Sequence, residues 1–209
     1  MKLVALISSG IDSPVATYLF SDITKEIIIV HSNNTPFIDE GEKDKFIKLI
    51  KHLSNKMSCN FKTYIIPHGD VLNSYKNNCE KKYTCVFCKR MLVRYADIIG
   101  KKEHADAIIM GDSLGQVASQ TLKNLRVVEQ ASSLPILRPL IGLDKNDVIK
   151  IAREIGTYEL SISPSFDCSA VPYKPSTQSK IEKILCEEKK IDIEKLIQQA
   201  IENAEVIKL

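Results

Sequence analysis

Five apolar residues, Leu3-Val4-Ala5-Leu6-Ile7, run straight into Ser8-Ser9-Gly10-Ile11-Asp12-Ser13-Pro14. An apolar run this short, stopped by small residues, reads as a strand buried in a parallel sheet. Ser13 before Pro14 reads as an N-cap followed by a proline at the first helical position, so a helix is expected through Val15 to Phe20. Strand, small-residue turn and helix N-terminus together make an anion site, because free backbone N–H groups and the helix dipole converge on the turn. The hydroxyls of Ser8, Ser9 and Ser13 add donors. The Asp12 carboxylate would repel a bare phosphate but suits one carried on Mg²⁺. The run is not a Walker-type loop, which needs G-x-x-x-x-G-K-[ST]. An ordinary βα turn with a good cap is the competing reading.

The chain of 209 residues, 26% charged and 44% hydrophobic, is long enough for one domain of ordinary size with a sizeable core. No run approaches the ~20 apolar residues of a membrane span, and the opening run is too short for a signal peptide. A cytoplasmic location is therefore expected. Cysteines in such a setting point to metal binding or catalysis more than to disulfides. The net charge of +3 is mild, but Lys76, Lys81, Lys82, Lys89, Arg90, Arg94, Lys101 and Lys102 stand against only Glu80 and Asp97 between positions 76 and 102. This is either a patch for a phosphate backbone or a solvated helix face.

Further strands are expected at Glu26–His31, Phe61–Ile66 and Ala107–Met110, with a short extended piece over Pro135–Leu140. Amphipathic patterns predict helices over Asp44–Lys56, from Val71, and over Arg90–Ile99 with Gly100 as its stop. A further helix spans Val148–Ile155, capped by the Asp144-Lys145-Asn146-Asp147 run and stopped by Gly156. Ser161–Thr177, rich in proline and serine, reads as a loop, and two short helices are expected beyond Gln178. Strands alternating with helices give an α/β fold with a doubly wound parallel sheet. In such a fold strand C-termini line the ligand crevice, which places His31 and Ser32 beside any nucleotide. We expect residues 1–177 to form the main domain and 178–209 a C-terminal helical extension of it.

Cys85-Val86-Phe87-Cys88 is a C-x-x-C pair that precedes the expected helix at Arg90, and Cys168 stands alone in the serine- and proline-rich loop. The residues alone leave four readings open. They are a structural zinc site completed by Cys79 or His104, a redox pair, an iron–sulfur cluster on Cys85, Cys88 and Cys168 with one iron open, or inert thiols. Cys59, Cys79 and Cys186 read as structural thiols.

Ser8-Ser9-Gly10-Ile11-Asp12-Ser13-Pro14-Val15-Ala16 resembles the S-G-G-I-D-S-P-V-A loop of the PP-loop ATP pyrophosphatases, with Ser9 in place of the first glycine. Gly111-Asp112-Ser113-Leu114-Gly115-Gln116-Val117-Ala118-Ser119-Gln120-Thr121 and the following Asn124-Leu125 resemble a segment of the tRNA 4-thiouridine synthetase family. Leu137-Arg138-Pro139-Leu140-Ile141 with Asp144-Lys145, and Lys89-Arg90-Met91, also resemble that family, in the same order from about Leu3 to Cys168.

The resemblance implies an adenine nucleotide alpha hydrolase-like fold. It implies ATP contacts at Leu6, Ile7, Ser8, Ser9, Gly10, Asp12, Ser13, His31, Ser32, Arg90, Gly111 and Gln120, an activating lysine at Lys145, and a sulfur-carrying cysteine at Cys168. The family usually adds an N-terminal RNA-binding region with a THUMP domain, and some members a rhodanese domain; this sequence opens directly on the loop. Members with a C-x-x-C and a distant third cysteine hold an iron–sulfur cluster, which Cys85, Cys88 and Cys168 match, with a 4Fe-4S form expected. The implied activity is ATP-dependent sulfur transfer. A uracil-type carbonyl, that of tRNA uridine at the 4-thiouridine position, is adenylated and its oxygen replaced by sulfur. The expected partners are ATP, Mg²⁺, tRNA reached through a separate RNA-binding subunit, sulfide or a sulfur-donor protein, and, as a candidate homodimer, a second copy of the chain. The alternatives are a PP-loop ATPase acting on a small molecule or sulfur-relay partner, and a non-catalytic nucleotide or iron–sulfur subunit of a tRNA-modifying assembly.

Overall fold

A computed structural model of the chain describes residues 1–39, 41–57, 59–164 and 168–209. Strand β1 (Lys2–Leu6) is the hub of the sheet. It pairs in parallel with β2 (Glu26–Asn33) on one side and β4 (Ala107–Met110) on the other. β2 continues to β3 (Asn60–Pro67), and β4 to β5 (Ile136–Leu137), again in parallel. A final strand, β6 (Glu205–Lys208), closes the far edge antiparallel to β3, giving the order β5-β4-β1-β2-β3-β6.

Both faces of the sheet are covered, which is why its central strands are uniformly apolar. Leu3, Ala5, Ile27 and Ile29 point to one side. There they meet α1 (Asp12–Tyr18), α2 (Gly41–Lys56) and α6 (Lys145–Glu154). Val4, Leu6, Ile28 and Val30 point to the other. They pack on α3 (Gly69–Asn78), α4 (Thr84–Lys102), α5 (Leu122–Glu129), α8 (Ile181–Glu188) and α9 (Ile193–Glu202). A short α7 (Tyr158–Ile162) follows α6. The doubly wound α/β expectation holds.

Several local expectations are corrected. Ser13 is not an N-cap: the helix already includes Asp12, and the Ser13 hydroxyl instead accepts from the Ser8 amide at 2.9 Å. Helix α4 begins at Thr84, so Cys85 and Cys88 lie inside its N-terminal turns rather than before it. Gly100 does not stop that helix. It lies within it because a Cβ there would stand 2.8 Å from Leu134 and 3.0 Å from Val4. The left-handed turn comes at His104, with φ of 56°. The extended piece shrinks to two residues because Pro135 and Pro139 have no N–H to give a ladder. Ser161 and Ile162 belong to α7, and the rest of that expected loop includes residues 165–167, outside the described residues. The strand β6 was missed. Its four residues carry no periodicity of their own, and the partner strand supplies its order.

The second layer is tied on by one buried charge cluster. The Arg90 guanidinium donates to both Glu188 oxygens at 2.9 Å and to the Val127 carbonyl at 2.5 Å. Arg94 donates to the same carboxylate at 2.8 and 2.7 Å. Arg90 is 2% exposed and Glu188 4% exposed, so α8 is clamped to α4 out of reach of water. Burial pushes the Glu188 carboxyl up, but the two arginines outweigh it and hold it below the usual carboxylate range.

On the sheet's other side the end of β4 meets the loop after β1. A Cβ on Gly111 would fall 2.7 Å from the Ser13 N and Cα atoms, so only glycine lets these two segments touch.

Two outcomes follow. Glu188→Gln leaves two buried cations uncompensated and should cost about 3–5 kcal/mol in urea denaturation; an unchanged midpoint would contradict the clamp. Gly111→Ala, an overpacking change, should cost about 1–3 kcal/mol by the same measurement, whereas Gly115→Ala, in open space, should be strained only by its φ of 76°.

Candidate active site

The sheet order reverses at β1 and β4, and the crevice of a doubly wound fold lies outside the C-terminal ends of the strands at such a switch point. A cavity lies there. Leu6, Ile7, Ser8, Gly10, Asp12, Ser13, Ser32, Gly111 and Gln120, all expected at the site, line it. So do Ile11, Val30, Lys89, Leu92, Met110 and Asp112, which were not expected.

The loop folds around its own serines. Ser8 and Ser13 hydroxyls lie 3.2 Å apart, and the Gly10 amide donates to Ser8 Oγ at 3.3 Å. Ser9, in the family's glycine position, turns inward and donates to Glu42 in the first turn of α2. Lys145, the first residue of α6, reaches the loop and donates to Asp12 Oδ1 at 2.5 Å. That helix is capped by Asp144, which accepts from the Asn146 amide at 2.8 Å. A second cation–carboxylate pair faces the crevice from the opposite strand. Lys89 donates to Asp112 Oδ1 at 2.6 Å, and Arg138 to Asp112 Oδ2 at 3.2 Å. The Gln120 side-chain oxygen is buried and partnerless among the described residues.

Five of the expected nucleotide-site and catalytic residues, Ser9, His31, Arg90, Lys145 and Cys168, are not among those that line the cavity. Arg90 turns to Glu188, as above: it follows Lys89 on a helix, and a step of one residue swings the side chain about 100° away. His31 is buried flat against Phe46, ring centroids 3.6 Å apart, with Nδ1 on the Ile7 carbonyl at 2.9 Å. It buttresses the start of the loop from beneath.

Cys85 and Cys88 sit a helical turn apart on α4, and Cys168 stands near enough that its charge raises the pKa of both. Burial is the larger cause, pushing the Cys88 thiol up to about 12. Lys89 pulls both back down. Among the described residues, no three Cys, His, Asp or Glu side chains converge closely enough for a single ion. Cys59 and Cys79 also have raised pKa values through burial, and Cys79 donates to the Glu187 carbonyl.

The basic run is largely consumed by internal pairs. Lys82 meets Glu80, Lys89 meets Asp112, Arg90 and Arg94 meet Glu188, and Lys101 meets Asp97. No helix of the described residues is long and apolar enough to cross a membrane.

Burial lowers the pKa of His31 to about 4 and of His68 to about 3. Both are neutral when folded and take a proton only when unfolded. Stability should therefore be fully present above the ordinary value of about 6.5 and fall as pH drops toward these values, by up to about 1.4 kcal/mol per pH unit for each. Denaturant midpoints at pH 7 and pH 5 check this. The slope should shrink in His68→Gln, and a flat profile in the parent would contradict it.

The chain is similar to several known proteins. A family model described as thiamine biosynthesis protein (ThiI) matches residues 1–193. A probable tRNA sulfurtransferase of Methanosarcina mazei is 43% identical over 209 residues, covering 100% of this chain and 52% of that protein. One from Acetivibrio thermocellus is 40% identical over 208 residues, covering 99% and 53%. The chain thus spans about half the length of the curated relatives it matches. A crystal structure of a 4-thiouridine synthetase–RNA complex with bound ATP superposes with a TM-score of 0.92 at 32% identity, over 100% of this chain and 55% of that one. A U34-tRNA thiolase from Methanococcus maripaludis, with its [4Fe-4S] cluster, shares the fold at a TM-score of 0.51 and 14% identity, over 98% of this chain and 74% of that one. With a family model matched over all but the last residues, and relatives this similar along its whole length, the chain belongs to the ThiI family.

Proposed function

We propose that the chain is the ATP-using part of a tRNA sulfurtransferase. ATP binds in the crevice at β1 and β4, and a uridine carbonyl oxygen attacks its α-phosphorus. Pyrophosphate leaves, and sulfur then replaces the activated oxygen to give 4-thiouridine. The observation that carries this reading is the crevice itself. One cavity gathers the helix-capped loop at 8–13, the close-packed Gly111 and a partnerless acceptor on Gln120. That acceptor suits the amino group of adenine. The relatives named for tRNA sulfur transfer, and the related structure described with ATP and RNA, support it.

Each residue has a role that its setting allows. Ser8, Gly10 and Ser13 present hydroxyl and amide groups to the phosphates. Asp12 is the carboxylate that would hold Mg²⁺, releasing Lys145 to the phosphate chain. Lys145 is already aimed at the loop, and an ammonium there opposes charge developing on pyrophosphate. Ser32 lines the sugar or base side from β2. His31 and Arg90 act through packing.

The three thiols stand within reach of each other's charge, and three thiolates are a donor set that suits an iron–sulfur cluster. Cys85, Cys88 and Cys168 would hold a [4Fe-4S] cluster whose open iron supplies a binding place for hydrosulfide. Burial favours the protonated thiols of Cys85 and Cys88, so ligation would release their protons.

The test is anaerobic purification followed by assays with ATP and tRNA, reading pyrophosphate release and thiouridine absorbance. The parent should release pyrophosphate only with the RNA and hold about four irons per chain. Asp12→Asn should lose turnover by more than about 100-fold, and Lys145→Ala should lose pyrophosphate release while binding ATP within several-fold. Cys85→Ala, Cys88→Ala and Cys168→Ala should each lose iron, and Cys59→Ala should lose neither iron nor activity. Pyrophosphate release without RNA would shift the acceptor to a small molecule, and a colourless protein holding zinc would remove the cluster.

A further inference from the structure

Helix α4 carries a stripe with two ends. Cys85, Cys88, Lys89 and Leu92 fall at i, i+3, i+4 and i+7, on one helix face. Its N-terminal end carries the two thiols, while Lys89 and Leu92 line the crevice. Lys89 directly follows Cys88 and lies about one turn, or roughly 5.4 Å along the axis, beyond Cys85.

The place of Lys89 is built rather than incidental. Its partner Asp112 lines the crevice yet is only 3% exposed. The second Asp112 oxygen is taken by Arg138 at 3.2 Å, and Arg138 runs on to Glu129 at 3.4 Å. Asp112 directly follows Gly111, which is wedged against Ser13, so the carboxylate cannot retreat from the crevice. An ammonium has three donors and Asp112 occupies one, leaving donors for an anion in the cavity. Lys145 donates from α6 to Asp12 on the loop, whereas Lys89 itself lines the cavity.

We propose that Lys89, posted on Asp112, is the lysine of the α-phosphate and acts in the second half of the reaction, while Asp112 is its positioning residue. This rests on the sulfur-transfer reading above. In that half, hydrosulfide forms a bond from sulfur to C4 of the activated uracil. The C4–O bond breaks, its electron pair leaves on the phosphate oxygen of AMP, and the sulfur proton passes to N3. Charge grows on the α-phosphate as AMP departs, and a fixed cation counts most where charge develops. The first half places its new charge on pyrophosphate and depends on Lys89 less. A cation next to Cys88 and one helical turn from Cys85, on the same stripe, is placed at the junction of nucleotide and sulfur.

The first experiment measures AMP and adenosine binding to the full chain by calorimetry. The parent should prefer AMP. Lys89→Met should weaken AMP at least tenfold and leave adenosine within twofold, and Lys89→Arg should keep the preference. No preference in the parent, AMP binding unchanged in Lys89→Met, or equal loss of both ligands would each overturn the proposal, the last by making the pair structural. In turnover, Lys89→Met should lose thiolated RNA at least tenfold more than it loses ATP–pyrophosphate exchange; losses of equal size would overturn the assignment to the second half. A parent that prefers AMP through Lys89 but forms no thiolated RNA would overturn the reading of the reaction while the phosphate contact stands.

Discussion

The site depends on one close approach. The loop after β1 and the turn after β4 come from sequence positions about a hundred residues apart, yet they share a wall because Gly111 has no side chain to hold Ser13 away. The parallel pairing of Leu6 with Met110 delivers both segments to the same edge of the sheet. Everything that lines the crevice is set from this point. Asp12 faces Lys145, Asp112 faces Lys89, and the serine hydroxyls close the loop on themselves. A cavity at a switch point is open by topology, since the chain leaves adjacent strands in opposite directions there. What this chain adds is polar lining held by carboxylates, so that its lysines are oriented before any phosphate arrives.

The opposite face of the sheet solves a different problem. Helices α8 and α9 come late in the chain and must be anchored on helices formed early. Apolar contacts supply most of the burial, but Glu188 fixes the docking position by taking two arginines from consecutive turns of α4. A buried ion pair adds little net stability over an apolar match and is costly to break, so its main effect is on which docking is allowed. Arg90 and Lys89 are neighbours in sequence with opposite duties, one holding the outer helix and one facing the crevice.

Much of this was legible in the sequence. The first four strands announced themselves as short apolar runs, and the ordered motifs placed the loop, Gly111, Gln120 and Lys145 in one region. The misplacements share a cause: sequence reports neighbours along the chain, whereas side chains meet through three-dimensional packing. Ser13 looked like a cap because Pro14 follows it, but its hydroxyl is drawn back to Ser8. Gly100 looked like a stop, but its bareness serves helix-to-strand contact. The carboxylate partners of the basic run lie up to about a hundred residues away, as Glu188 does from Arg90 and Arg94. No local pattern reveals them. Asp112 was read only as part of a motif, and its importance appears once Lys89 and Arg138 are seen to meet on it.

The last strand has a consequence for how the chain is made. The amide of Phe61 bonds to the carbonyl of Leu209, and the amide of Leu209 to the carbonyl of Phe61, at 3.3 and 3.1 Å. During synthesis from the ribosome, β3 therefore waits as an open edge until nearly 150 further residues have emerged, and an open edge will pair with any strand that reaches it first. Lys62, near the start of that edge, guards it meanwhile: a charge on a waiting strand discourages pairing between nascent copies.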